Sequence, residues 1–168
     1  MPDPVIRAIY DDLGYPKAEI NCQVATVFGS TPHIRTMKLY DICDGDLVFC
    51  TFTDKQKWLD LKSNTSCSVC FFFNNWGQII AEGNVCLSSN RHGQEQTEFY
   101  WQKLLPCWRQ AYLSGTNSKS IPDAFGVIKV VPNRWEILRI NHDDYFSSIR
   151  FEAVWKSNSW HFAELKPC

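Results

Sequence analysis

Long apolar runs are missing from this chain: no stretch approaches the ~18–20 residues that a membrane span needs. Charge of one sign is missing too. The 17 Lys and Arg are balanced by 18 Asp and Glu, a formal net charge of −1. No global field therefore draws the chain to nucleic acid or to an anionic membrane, and any anion site must be local. The opening "MPDPVIRAIYDDLGYP" has neither the basic n-region nor the continuous apolar h-region of a secretory signal. G-x-S-x-G, H-E-x-x-H, G-x-G-x-x-G and G-x-x-x-x-G-K-[ST] are all absent, which removes the usual hydrolase, metalloprotease, dinucleotide and P-loop signatures. Low-complexity tracts are absent as well, and 45% hydrophobic residues over 168 positions are enough for one folded domain with its own core.

Cysteine is plentiful, with eight residues, but scattered through strand-like segments. With no signal peptide, that scatter predicts reduced, mostly buried thiols and a cytoplasmic protein rather than a disulfide scaffold. "CSVC" (67–70) invites a zinc or redox reading. His33, His92, His142 and His161 supply no companion ligand pair, and strand positions three apart point to opposite faces. No metal site is expected. "HDD" at 142–144 groups a His with two acids but reads as turn chemistry. "RHGQEQTEFYWQKLLPCWRQAY" interleaves aromatic and basic residues as a nucleic-acid platform does, yet its aromatics suit one buried helix stripe.

An amphipathic helix is predicted over about 3–13, ending at Gly14. β-rich runs follow at 20–29, 33–41, 46–52, 66–73 and 77–88, punctuated by "GST", "CDGD" and "NNWG". A helical segment from near Arg91 runs toward Pro106. Further strands are read in "AFGVIKVVP", "RWEILRI", "IRFEAVWK" and "SWHFAEL", with "KSNS" as a tight turn between the last two. Strands in meander order with peripheral helices predict a mainly β domain, an antiparallel barrel closed or nearly so, in one unit over 1–168.

One local basic cluster remains. Lys55 and Lys57 sit at a helix start, where the exposed N–H groups already carry partial positive charge. If 33–41 pairs with 46–52, Arg35 falls beside that start, with Thr51 and Thr53 adding hydroxyls. A guanidinium fork, ammonium groups and helix-start donors are what a phosphate monoester needs. Charges at strand ends are also commonly just solvated, and the residues alone leave both readings open.

From about residue 20 onward the chain resembles the pyridoxamine 5'-phosphate oxidase-like family of FMN-binding split barrels. "ATVFGSTPHIRTMKLYD" is similar to the family's hairpin, with Arg35 three residues past Pro32. "LVFCTFTDKQKWLDLKSN" resembles its strand, Thr and Lys-bearing helix, with Thr51 and Lys57 in those places. "GQIIAEGNV" resembles the strand whose Gln, here Gln78, contacts the flavin, and Arg150 falls at a flavin-contacting Arg. The resemblance implies an antiparallel split β-barrel, a homodimer with FMN at the subunit interface, and a cofactor set of Arg35, Thr36, Lys38, Cys50, Thr51, Lys55, Lys57, Gln78 and Arg150. Lys103 would face substrate.

The departures are specific. Lys55 and Gln56 stand where the biosynthetic oxidases carry Ser-Arg, and Phe146 and Ser148 stand where they carry substrate-contacting Arg and His. Phe99 and Lys103 stand for a Tyr and an Arg. Lost charge-assisted donors cost roughly 1.5–3 kcal/mol each, which argues against vitamin B6 oxidation and toward the general-stress-protein branch. The expected activity is FMN-dependent oxidoreduction on an unassigned substrate. The other reading is a non-catalytic flavin, haem or deazaflavin binder on the same barrel.

Overall fold

The structure is a computed structural model describing residues 4–15, 19–74, 77–113 and 120–166. Helix α1 (Pro4–Leu13) begins on a proline, whose missing N–H costs nothing in a first turn. It stops at Gly14, whose φ of 70° places it in the left-handed conformation that glycine tolerates. Ile9 and Leu13, four apart, are buried beneath it. Strands β1 (Asn21–Phe28) and β2 (Thr31–Lys38) form a hairpin, and β3 (Asp41–Cys43) and β4 (Asp46–Phe52) form another. Asp44 and Gly45 both have positive φ in the second turn, the backbone twist that tight hairpins prefer.

Helix α2 (Gln56–Ser63) then precedes β5 (Ser66–Phe73) and β6 (Gly77–Ser89). Helices α3 (Gln94–Lys103) and α4 (Pro106–Leu113) lead to β7 (Phe125–Arg139), β8 (Ile149–Lys156) and β9 (Ser159–Leu165). The β8–β9 turn carries positive φ at Ser157 and Asn158, as "KSNS" predicts.

All strand pairs are antiparallel, in the order β2-β1-β5-β6-β7-β4-β3, with β8 on β7 and β9 on β8. β7 serves two partners in succession: 125–130 pair with β4 and 134–139 with β8. Pro132 falls at the changeover, opposite Gly83, where the β6 register shifts. A proline has no N–H to give a ladder, so it belongs at such an irregularity. Gly83 must be glycine, because an added Cβ would lie 2.0 Å from the Val131 carbonyl oxygen.

The sheet does not close. Its two edges meet where the chain leaves β2: Leu39 N donates to Ile20 O at 2.9 Å, and Tyr40 N donates to Val48 O at 2.9 Å. This is a split rather than a seam, in keeping with the predicted split barrel. The larger core, with Phe49, Phe71, Ile79 and Trp135, fills the interior. A second cluster, including Val48, Trp101, Leu104 and Phe125, packs α3 and the sheet together.

Four expectations are corrected. β2 pairs with β1 along its whole length and not with 46–52; the two-residue turn at 29–30 closes that hairpin first, and of 33–41 only Tyr40 and Asp41 meet β4. The segment from Arg91 to Tyr112 is two helices, because Pro106 cannot continue α3 and instead starts α4. Its aromatics are accordingly not one stripe: Tyr100 and Trp101 are buried while Phe99 and Trp108 are exposed. "AFGVIKVVP" and "RWEILRI" are one long strand, the bulge at Pro132 absorbing the break. The seven described cysteines are free thiols, but only Cys22 and Cys67 are buried. Cys67 and Cys70 point to opposite faces of β5, as their spacing predicts.

Candidate functional site

A cleft of about 310 Å³ opens between the end of β2, strand β4, the start of α2 and the α3–α4 corner. That volume is at the lower end for small-molecule sites. Lys38, Cys50, Thr51 and Lys57 of the expected cofactor set line it. Tyr40, Phe52, Leu104, Leu105, Trp108 and Tyr112 supply a largely apolar wall.

Lys57 is the distinctive group. It lies in the first turn of α2, where first-turn amides have no preceding turn to bond to. Its side chain is half-buried, and among the described residues no carboxylate pairs with its ammonium. Burial pushes its pKa below the ordinary lysine value, and the positive charges of Arg35 and Lys55 push the same way against a weaker pull from Asp54. An under-compensated ammonium at a helix N-terminus favours an anion on two counts.

The walls beyond it stay neutral. Burial, with Asp41 adding to it, pushes the Cys50 thiol up to about 12. Burial likewise pushes the Tyr40 hydroxyl up to about 12, helped by Cys50 and Asp41. Both groups therefore remain protonated donors at neutral pH. Lys38 reaches the cleft, but its ammonium is 2.5 Å from Glu19 Oε1.

Arg35 is close to this group without lining the cleft. It stands on the face of β2 that α2 covers, and its guanidinium donates to Val24 O (3.3 Å), Thr26 Oγ1 (2.6 Å) and Asp60 Oδ2 (3.2 Å). Asp60 is completely buried and also accepts from Thr26 Oγ1 (2.6 Å) and Gln56 Nε2 (2.8 Å), with His33 Nδ1 2.9 Å away. Burial alone would raise its carboxyl; the bonds from Thr26, Gln56 and His33 outweigh it and hold the pKa at about 2. This hub is not among the residues expected from the sequence. Its signal was an acid between Trp58 and Leu61, both buried, three residues past Lys57 and so on the same face of α2.

The other expected residues lie elsewhere. Lys55 precedes the helix, exposed, 3.2 Å from Asp54 and above the Phe52 ring. Thr36 faces away from Arg35 and bonds Gln23 Nε2 at 3.0 Å. Gln78 and Arg150 share one register row, each opposite Leu138, and hence one face of the sheet. Arg150 donates to Glu136 Oε1 at 2.9 Å. Burial works against the Glu136 carboxylate, yet Arg134 and Arg150 hold its pKa below the ordinary value. Lys103 lies 3.5 Å from Asp41 Oδ2 and 4.3 Å above the Phe99 ring, outside the cleft lining.

Phe146 is 91% exposed, and Ser148 is buried with its Oγ accepting from Asn141 N. "HDD" is turn chemistry as expected: Asn141 Oδ1 accepts from Asp143 N and Asp144 N, and Asp144 Oδ1 accepts from Phe146 N. Among the described residues no group of three or more His, Cys, Asp or Glu could hold a metal ion. No described helix is long and apolar enough to cross a membrane.

The fold is that of the FMN-binding split barrels. The chain superimposes on a pyridoxamine 5'-phosphate oxidase-related, FMN binding protein from Nostoc punctiforme with a TM-score of 0.79, at 18% identity over 98% of this chain and 96% of that one. PhzG from Burkholderia lata, solved in complex with tetrahydrophenazine-1-carboxylic acid, gives 0.76 at 15% identity over 99% and 94%. General Stress Protein 26 from Bacillus anthracis gives 0.60 at 16% identity over 79% and 92%. No family model and no curated protein matches the sequence.

Proposed function

We propose that the chain is a cytoplasmic FMN-binding protein whose cofactor phosphate sits at the start of α2, and that it works as an oxidoreductase on an unassigned substrate. The observation that carries this reading is Lys57: half-buried, without a counter-ion among the described residues, and lining the same cleft as Thr51. Thr51 and the first-turn amides would share the phosphate with it, and Lys55 would add charge from outside. The cleft's neutral, mostly apolar walls suit a flavin ring, which brings its own electron or hydride chemistry and asks of the protein only orientation and access. The similarity in fold to FMN-binding proteins supports the same choice of cofactor.

Gln78 and Arg150 do not line this cleft. They fit the reading in a homodimer, where their shared face would meet the flavin held by the partner subunit. The exposed Ile34 and Phe72, on that face by register, suit burial in such an interface. A mass near twice 19.5 kDa in light scattering is expected, and a monomer that binds FMN fully would remove this part. FMN uptake by absorbance titration tests the whole, with Lys57→Ala expected to weaken it more than tenfold.

Binding without turnover is the second reading. The exposed Phe146 and the internally bonded Ser148 favour it, because neither offers a substrate a charged contact. Reduction of bound FMN by NADH or NADPH separates the two; a chain that holds flavin and passes no electrons from either is a binder.

A further inference from the structure

Arg35 and Lys57 look like two arms of one phosphate clamp, but the geometry gives them different work. Of the guanidinium's five N–H donors, three are taken by Val24 O, Thr26 Oγ1 and Asp60 Oδ2. Asp60 is not a casual partner. It has no exposed surface, it lies on the helix that carries Lys57, and both its oxygens accept hydrogen bonds. A charge buried this deeply does not give up its cation cheaply. Thr26 closes the triangle, since its hydroxyl donates to Asp60 Oδ2 and accepts from Arg35.

We infer that Asp60 is a positioning residue that claims Arg35 for the fold: it ties α2 to the β1–β2 hairpin through the guanidinium, cancels that charge, and leaves direct recognition of a phosphate monoester to Lys57. The inference rests on the phosphate reading of the cleft and adds a charge balance to it. At the helix start Arg35 offsets Asp60, Lys55 offsets Asp54, and the ammonium of Lys57 has no counter-ion among the described residues. Such a site holds a monoester with one direct cation and a helix terminus, and Asp60 acts on the anion as a fixed repulsive charge from beneath.

Paired titrations with FMN and riboflavin test this, because their affinity ratio isolates the phosphate. Asp60→Asn keeps the shape and most hydrogen bonds of the carboxylate and removes its charge. The ratio of FMN to riboflavin affinity should rise by about threefold or more, the scale of one unit charge within a few ångströms at high effective dielectric. A merely structural Asp60 would shift both ligands together and leave the ratio unchanged, which overturns the inference. A fall in the ratio overturns it too, since Asp60 would then be aiming Arg35 at the phosphate. The charge-balanced double variant Arg35→Gln/Asp60→Asn, which leaves no buried ion alone, should keep the wild-type ratio within about twofold. A tenfold loss there would show a direct Arg35–phosphate contact and refute the assignment even if the single variant does not fold. Wild-type protein that binds FMN no better than riboflavin would instead refute the phosphate reading underneath.

Discussion

Removing Arg35 should damage the fold before it damages any ligand site. Arg35→Ala leaves the carboxylate of Asp60, wholly buried, with only Thr26, Gln56 and His33 around it. Breaking a buried pair from one side costs about 3–5 kcal/mol. The lower end applies because the Arg35 side chain keeps 21% of its own exposure and so contributes a partly solvated charge. The expected loss is therefore about 3 kcal/mol, or a melting temperature lower by roughly 6–12 °C for a domain of this size.

Urea unfolding of both proteins at pH 7, followed by Trp fluorescence, reads the loss directly, with an unchanged m-value showing that the native state stays compact. The pH limb supplies a second readout. The Asp60 carboxyl is held at about 2, below its ordinary 3.8. A depressed pKa contributes stability that is complete above the unfolded value and is lost as pH falls through the folded one. Wild type should thus lose on the order of 2 kcal/mol from this group as pH falls from about 4 through 2, a loss that Asp60→Asn should not show. A loss below about 1 kcal/mol at pH 7 would refute the view of Arg35 as a pin beneath α2.

Three further outcomes follow from the geometry. Lys57→Gln should weaken FMN more than tenfold while leaving unfolding within about 0.5 kcal/mol of wild type, since among the described residues its ammonium has no partner to lose. Thiol labelling at pH 8 should mark the exposed Cys86 and Cys107 early, whereas the buried Cys22 and Cys67, their thiols pushed up to about 12 by burial, should react only on unfolding; fast labelling of either in the native protein would contradict its place in the core. Gly83→Ala should cost more than about 3 kcal/mol, because the new methyl meets the backbone at Val131 O and Pro132 Cα rather than a movable side chain. Near-normal stability would mean that β6 and β7 do not cross as closely as described.

Much of the barrel is legible in the sequence because short apolar runs and turn residues act locally. "KSNS" and "CDGD" place hairpins where φ must be positive, and the spacing of Cys67 and Cys70 fixes their opposite faces. Strand pairing is less legible, since it depends on which turn closes first. "GST" closes β1 on β2, so only the tail of 33–41, at Tyr40 and Asp41, reaches 46–52, and Arg35 meets α2 from β1's side instead. Lys57 was readable from its place at a helix start. Asp60 was not singled out, because an acid beside lysines on a short helix looks solvated until its burial against Thr26 and Arg35 is seen. The α3–α4 corner that walls the cleft escaped notice for a related reason: a helix break at Pro106 turns Leu104, Leu105 and Trp108 toward β4.

The most direct test of the central claim is an absorption spectrum of the purified chain, followed by titration with FMN. Flavin bands in the purified protein, or saturable uptake by the apoprotein that Lys57→Ala weakens more than tenfold, is the predicted result. A colourless protein that takes up no FMN, or one whose uptake is indifferent to Lys57, would contradict it.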